Sequence, residues 1–152
     1  MAQSSFTLNK LSTDFYTDYD AVSYPEIENK PNRPYMVLII TIGKNTFALP
    51  FRTNIRHDYC YKFAKSGIVT DSDTGIDFTK AVIVNKANYI GDPATIDNDE
   101  FVELSNKYHF IINKFETFLK GYVKHVKNGG NKHTAKKYQY CTLQYFHEEL
   151  GI

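Results

Sequence analysis

The sequence predicts a single α+β domain spanning residues 1–152. Three patterns carry that expectation. A Val- and Ile-rich run at 35–42 meets a turn and then a second apolar run at 46–51, as in a β-hairpin. A further apolar stretch at 81–84 follows a cluster of turn residues. Beyond Asp97, apolar residues recur every three or four positions as far as Val126, the period of one long amphipathic helix. Strands first and helices afterwards is the order of an α+β fold, not of alternating βαβ units.

Taken in order, residues 6–8 read as a short strand. Ser12 is placed to cap a short helix reaching Tyr19, with Phe15, Tyr16 and Tyr19 at helical spacing. Residues 23–34, SYPEIENKPNRP, hold three prolines and form a surface loop. Gly43-Lys44-Asn45 turns the hairpin. Pro50 lacks a backbone N–H, which predicts that the second hairpin strand lies at a sheet edge or ends there. Residues 58–72 are ambiguous, and TDSDTG at 70–75 is a turn cluster. Asp97 with Glu100 makes a capping-box pair for the long helix. Phe101, Leu104, Tyr108, Ile111, Ile112, Phe115, Leu119, Tyr122 and Val126 form its inner face. Asn128-Gly129-Gly130 stops that helix. A second helix is expected from about Thr134, carrying Leu143, Phe146 and Leu150 inward.

A chain of 152 residues buries roughly two-thirds of its unfolded surface, so neither a disulfide nor a structural metal is required. Twelve Tyr and eleven Phe against no Trp supply both core rings and rings able to stack on a ligand. Cys60 and Cys141 form no C-x-x-C pair. The N-terminal MAQSSFTLNK has no apolar signal segment, so free thiols in a cytoplasmic setting are expected. The longest apolar run, 36–40, is too short to span a membrane.

The net charge of +1 hides an asymmetry. Residues 107–137 hold eight lysines against one acid, Glu116, whereas the first hundred residues carry ten basic and thirteen acidic groups. The basic segment reads either as a solvated helical face or as a phosphate-facing surface. The five histidines, His57, His109, His125, His133 and His147, lack zinc-ligand spacing. No metal or other cofactor is expected. There is no G-x-S-x-G elbow and no glycine-rich phosphate loop.

What remains is ALPFRTNIRHDYCY, residues 48–61. Arg52 and Arg56 are permanent cations with donor forks that suit phosphate. Thr53 and Asn54 add short hydrogen bonds, and His57 can exchange a proton near neutral pH. That set fits metal-independent RNA cleavage. There the ribose 2′-OH attacks the adjacent phosphorus, and the protein orients the attack, moves protons and stabilises the phosphorane. It equally fits a polar loop in which Thr53 or Asn54 caps a turn. GIDFTK at 75–80 carries a parallel choice. Asp77 caps a turn and Lys80 is solvated, or the segment returns to the same cleft.

The stretches YPEIENKPNRPYMVLIITIGKNTFALPFRTNIRH (24–57) and GIDFTKAVIV (75–84) together resemble the ToxN/AbiQ/CptN/TenpN toxins of type III toxin–antitoxin systems. The likeness lies in the order and spacing of a polar loop carrying Asn32-Arg33, an apolar strand, a short turn, and F-A-x-P leading into a polar loop. The resemblance implies a compact twisted sheet related to the MazF/Kid barrel, with surrounding helices. It implies an endoribonuclease that cuts single-stranded RNA without metal, leaving a 2′,3′-cyclic phosphate. The implied substrate is cellular or phage mRNA. The implied partner is a small pseudoknot-like antitoxin RNA, cut from a repeated precursor and held in a closed protein–RNA assembly, in a system that aborts phage infection. By position, Arg52, Thr53 and Asn54 match the family's polar loop, and Arg33 matches a basic residue before the first core strand. His57 stands where a proton shuttle is sought. Arg56, Lys80, Lys107, Lys114, Lys120, Lys124 and Lys127 would then face RNA phosphates. The competing expectations are a non-catalytic single-stranded RNA-binding module and a protein-interaction domain.

Overall fold

A computed structural model of the chain describes residues 6–27, 36–64, 74–130 and 132–152. The fold is α+β, an antiparallel sheet of seven strands with one long helix against it. β1 (Thr7–Leu11) leads straight into α1 (Thr13–Asp18). Ser12 caps α1 as expected: its Oγ accepts the Phe15 N–H at 3.3 Å and donates to the Asn88 carbonyl. The cap therefore also ties the helix to a distant segment. Phe15, fully buried, packs its ring against Tyr16, Tyr19 and Tyr89.

β2 (Met36–Ile42) and β3 (Asn45–Arg52) form the hairpin, with Val37 opposite Pro50 and Ile42 opposite Asn45. Only Gly43 and Lys44 lie in the turn, and Gly43 takes φ 60°. A positive-φ glycine at the first of two turn positions matches the right-handed twist of the strands. The remaining strands are β4 (Cys60–Lys62), β5 (Gly75–Asp77), β6 (Val82–Ile83) and β7 (Ile90–Pro93). The sheet order is β4-β5-β3-β2-β1-β7, with β6 also on β3. The path is open, ending at β4 and β7, so among the described residues it is not a closed barrel.

β3 is central, which corrects the edge placement drawn from Pro50. The proline is tolerated because of what flanks it. On the side away from β2, Phe47 and Ala48 pair with β6 while Phe51 and Arg52 pair with β5. Leu49 and Pro50 fall in the gap between these partners, where a missing N–H breaks no ladder bond. The chain changes partner there and continues to Arg52. Gly75 is needed on the neighbouring strand: a Cβ there would stand 2.1 Å from the Tyr61 carbonyl oxygen.

The long helix, α2 (Asn98–Lys127), is capped by Asp97, whose carboxylate accepts the Asp99 and Glu100 N–H groups at 3.1 and 3.2 Å. Leu104, Tyr108, Ile111, Ile112, Phe115 and Tyr122 are buried as the period requires, joined by Phe118. Phe115 meets Phe47 and Phe78 edge-on, with centroids 5.3 and 5.5 Å away, so α2 covers the sheet face of Phe47, Leu49 and Phe51. Phe101 does not join them; it is 44% exposed and touches Phe6 at the rim. Asn128 ends the helix, and Gly129 and Gly130 both take positive φ.

The expected second helix is broken in three: α3 (Lys132–Tyr138), a 3₁₀ turn (Thr142–Tyr145) and α4 (His147–Leu150). The cause is tertiary. The buried Thr142 hydroxyl donates to the Ala81 carbonyl, with the Thr79 carbonyl 3.2 Å away, and a continuous helix would carry it off that anchor. Leu143 and Phe146 still point inward and are fully buried. No described helix is long and apolar enough to cross a membrane.

In α4, the Glu149 Oε2 is buried without a hydrogen-bond partner, and burial raises the carboxyl pKa above its ordinary value. An acid whose folded pKa is raised favours the folded state when protonated, so the charged form costs stability above that pKa. Glu149→Gln should raise Tm at pH 8, and the gain should shrink as pH falls to 4. Paired melts of the two proteins check this; an unchanged or lower Tm at pH 8 would refute it.

Candidate active site

The loop leaving β3 brings two of the residues singled out from sequence, Arg52 and His57, to one buried carboxylate. Asp77, at the end of β5, has no exposed surface. Its Oδ2 accepts from Arg52 Nη1 at 2.7 Å. Its Oδ1 accepts from the Thr79 N–H at 2.9 Å and the Thr79 hydroxyl at 2.6 Å, and His57 Nε2 lies 3.3 Å away. Sheet pairing makes this possible. Arg52 is opposite Gly75, and Asp77, two residues along the same strand, presents its side chain to the same face. Asp77 thus both caps the turn at 78–80 and returns to the cleft.

His57 has both ring nitrogens engaged. Nδ1 accepts the Tyr59 N–H at 3.1 Å, which assigns the proton to Nε2, facing Asp77. A carboxylate that fixes the imidazole tautomer in this way leaves the other nitrogen as the proton acceptor. Here that nitrogen is occupied by a bond to a backbone group two residues on. Tyr59 stacks on the His57 ring at 5.7 Å and is covered by Lys137, whose Nζ lies 5.0 Å from the Tyr59 centroid.

Thr53 and Asn54 are exposed at the tip of the loop, and Asn54 holds a left-handed φ of 59°. An asparagine tolerates that region better than most side chains, and the turn it makes sends buried Ile55 back into the protein. Arg56 is exposed. Arg52 also lines a cavity of about 30 Å³ with Glu26, Lys80 and Tyr16 among its walls. Burial pushes the Tyr16 hydroxyl up to about 12, so it stays protonated at neutral pH. Burial likewise raises the Cys60 thiol and pushes Cys141 up to about 12, which removes both as thiolate nucleophiles.

Lys80 is placed differently from a phosphate ligand. Its Nζ contacts the Glu26 carbonyl at 3.2 Å, the Glu26 carboxylate at 3.4 Å and the Tyr140 carbonyl at 3.1 Å, and so ties three segments together. Arg33 lies outside the described residues. The five helix lysines are exposed but do not share one face. At about 100° per residue, Lys107 and Lys114 form one stripe, and Lys120, Lys124 and Lys127 another roughly a third of a turn away. The second group lines a separate groove with Leu119, Val123 and Leu150. His147 bonds the Tyr122 hydroxyl at 2.6 Å, and no group of three or more His, Cys, Asp or Glu among the described residues is placed to hold a metal.

Asp77 is the residue whose role the sequence understated. The signal was present: an acid closing a short apolar strand, GID, needs a buried partner. Nothing in the sequence marks Tyr16 or Lys137 as part of the site, and only the fold brings them near. Fold and site together define an α+β protein with one buried carboxylate gripping an arginine and a histidine at the mouth of a β-strand loop. No protein-family model, no curated protein and no solved structure matches this chain.

Proposed function

We propose that the chain is a metal-independent endoribonuclease, the toxin of a type III toxin–antitoxin system acting in the cytoplasm and in phage defence. The observation that carries this reading is the double use of Asp77, which fixes a quarter-exposed guanidinium and an imidazole on the loop that also offers Thr53 and Asn54 to solvent. His57 would take the 2′-OH proton through Nδ1 as the 2′-oxygen bonds to phosphorus, Arg52 would stabilise the phosphorane, and Thr53 and Asn54 would fix its oxygens. The P–O5′ bond would then break, the leaving 5′-oxygen taking a proton from solvent to give a 5′-hydroxyl. The transfer to Nδ1 requires the Tyr59 N–H bond to open. A typical hydrogen bond contributes about 1 kcal/mol net. The resulting penalty, about fivefold in rate, is small beside the roughly 10²–10⁴-fold that a positioned base supplies. The partner of this reading is a small pseudoknot-like antitoxin RNA in a closed assembly. Kinship with the MazF/Kid architecture is part of this proposal, and what speaks for it is the antiparallel sheet with a long helix against it.

The test is cleavage of an unstructured RNA in EDTA with product analysis. Wild type is expected to leave a 2′,3′-cyclic phosphate, to arrest bacterial growth when expressed alone, and to lose both effects in Thr53→Ala. Intact RNA and unaffected growth would sink the proposal. A specific observation favours a second reading: the Arg52–Asp77–His57 cluster satisfies itself, as a purely structural ion pair would. A non-catalytic single-stranded RNA-binding module would then bind RNA, cut nothing, and be indifferent to Thr53→Ala.

A further inference from the structure

Phe110 stands on the solvent side of α2 and is 60% exposed, among the most exposed large apolar side chains in the described residues. A single exposed aromatic ordinarily needs no explanation. Its surroundings make this one informative. Lys107 precedes it by three residues and Lys114 follows by four, so both are its neighbours on the helix surface. Phe110 also forms one wall of a groove of about 520 Å³ with Asp58, Cys60, Tyr61, Lys62 and Lys114.

The groove is built, not incidental. Tyr61 meets the Phe110 ring edge-on, with centroids 6.2 Å apart and planes at 77°. The Tyr61 hydroxyl donates to Glu103, whose carboxylate also accepts the Ala64 N–H at 2.9 Å. The Glu103 charge is thereby turned to holding the groove wall. An aromatic face flanked by two cations on a fixed base is complementary to a flat, uncharged ring carried on an anionic backbone.

We infer that the Phe110 face, between Lys107 and Lys114, is a stacking subsite for one unpaired base of a single-stranded RNA. The inference rests on the endoribonuclease reading for the identity of the strand. Position supports it. Lys62 is opposite Gly75, which is opposite Arg52, so the groove begins two strands from the site. At about 4.8 Å per strand that is roughly 10 Å along the sheet; Arg52 and Lys62 project from the face opposite Tyr61, so a strand leaving the site reaches the Phe110 ring by passing round the edge strand β4. Asp58 repels phosphate at its end of the groove. The backbone is therefore placed along the lysine side, with the edge of the base toward Asp58.

The chain has no native tryptophan, so Phe110→Trp installs a sole reporter. The probe is a short 2′-O-methyl oligonucleotide, which lacks the free 2′-OH and cannot be cut by that route. Titration should quench the fluorescence of the introduced indole saturably. Phe110→Ala should bind the same probe roughly five- to a hundredfold more weakly than wild type. Phe110→Leu should not restore affinity, because it returns apolar area without a stacking face. If wild type cuts RNA and binds the probe but Phe110→Ala binds equally and Phe110→Trp is not quenched, the subsite is refuted and the nuclease reading stands. If wild type cuts no RNA yet the quench and the affinity loss both appear, the subsite stands and the catalytic reading falls.

Discussion

Asp77→Ala should lower stability by about 3 kcal/mol and Tm by roughly 6–12 °C. The carboxylate is wholly buried and serves Arg52, His57 and both polar groups of Thr79. Its loss strips the 78–80 turn of its cap and leaves the Arg52 guanidinium beside a cavity. Full rupture of a buried pair costs about 3–5 kcal/mol, because a charge is left uncompensated. Arg52 keeps 26% of its side chain exposed, so water recovers part of that cost and the lower end applies. Asp77→Asn should fall between: the amide oxygen can keep the Thr79 bonds, while its NH₂ faces the Arg52 donors. Thermal or urea unfolding reads both variants. An Asp77→Ala protein melting within a degree of wild type would mean that the cluster holds nothing together.

The contrast between Asp77 and its neighbours shows where the sequence was informative. Local chemistry was legible because its partners are close in the chain. Ser12 caps α1, Asp97 caps α2, and Gly43 turns the hairpin, each within a few residues of what it satisfies. The capping of the 78–80 turn belongs to the same class. The contacts from Asp77 to Arg52 span 25 residues and exist only because β5 pairs with β3. No local pattern encodes that register. Pro50 misled for a related reason: its missing donor is real, but whether it matters depends on which strands flank β3. The broken C-terminal helix was hidden because Thr142 is anchored on the Ala81 carbonyl, across 61 residues. The basic segment was visible as composition, yet only helical geometry divides its lysines between the Phe110 stripe and the Leu150 groove.

Arg52→Ala should slow single-turnover RNA cleavage by roughly 10²–10³-fold, the cost of deleting one preorganised donor aimed at developing charge. It should weaken RNA binding as well, since the same guanidinium holds the phosphate before the reaction. Arg52→Lys keeps the charge but loses the fork that can grip Asp77 and a phosphate together, so it should recover binding better than rate. His57→Ala should behave otherwise. Asp77 keeps its Arg52 and Thr79 bonds, so the fold and RNA affinity should persist while cleavage falls at least tenfold. Measuring single-turnover cleavage and equilibrium binding for all three variants separates the roles. If His57→Ala keeps the wild-type rate, the imidazole is a strut for the loop and the proton leaves by another group. If Arg52→Ala cuts as fast as wild type, the loop after β3 is not where the phosphate reacts.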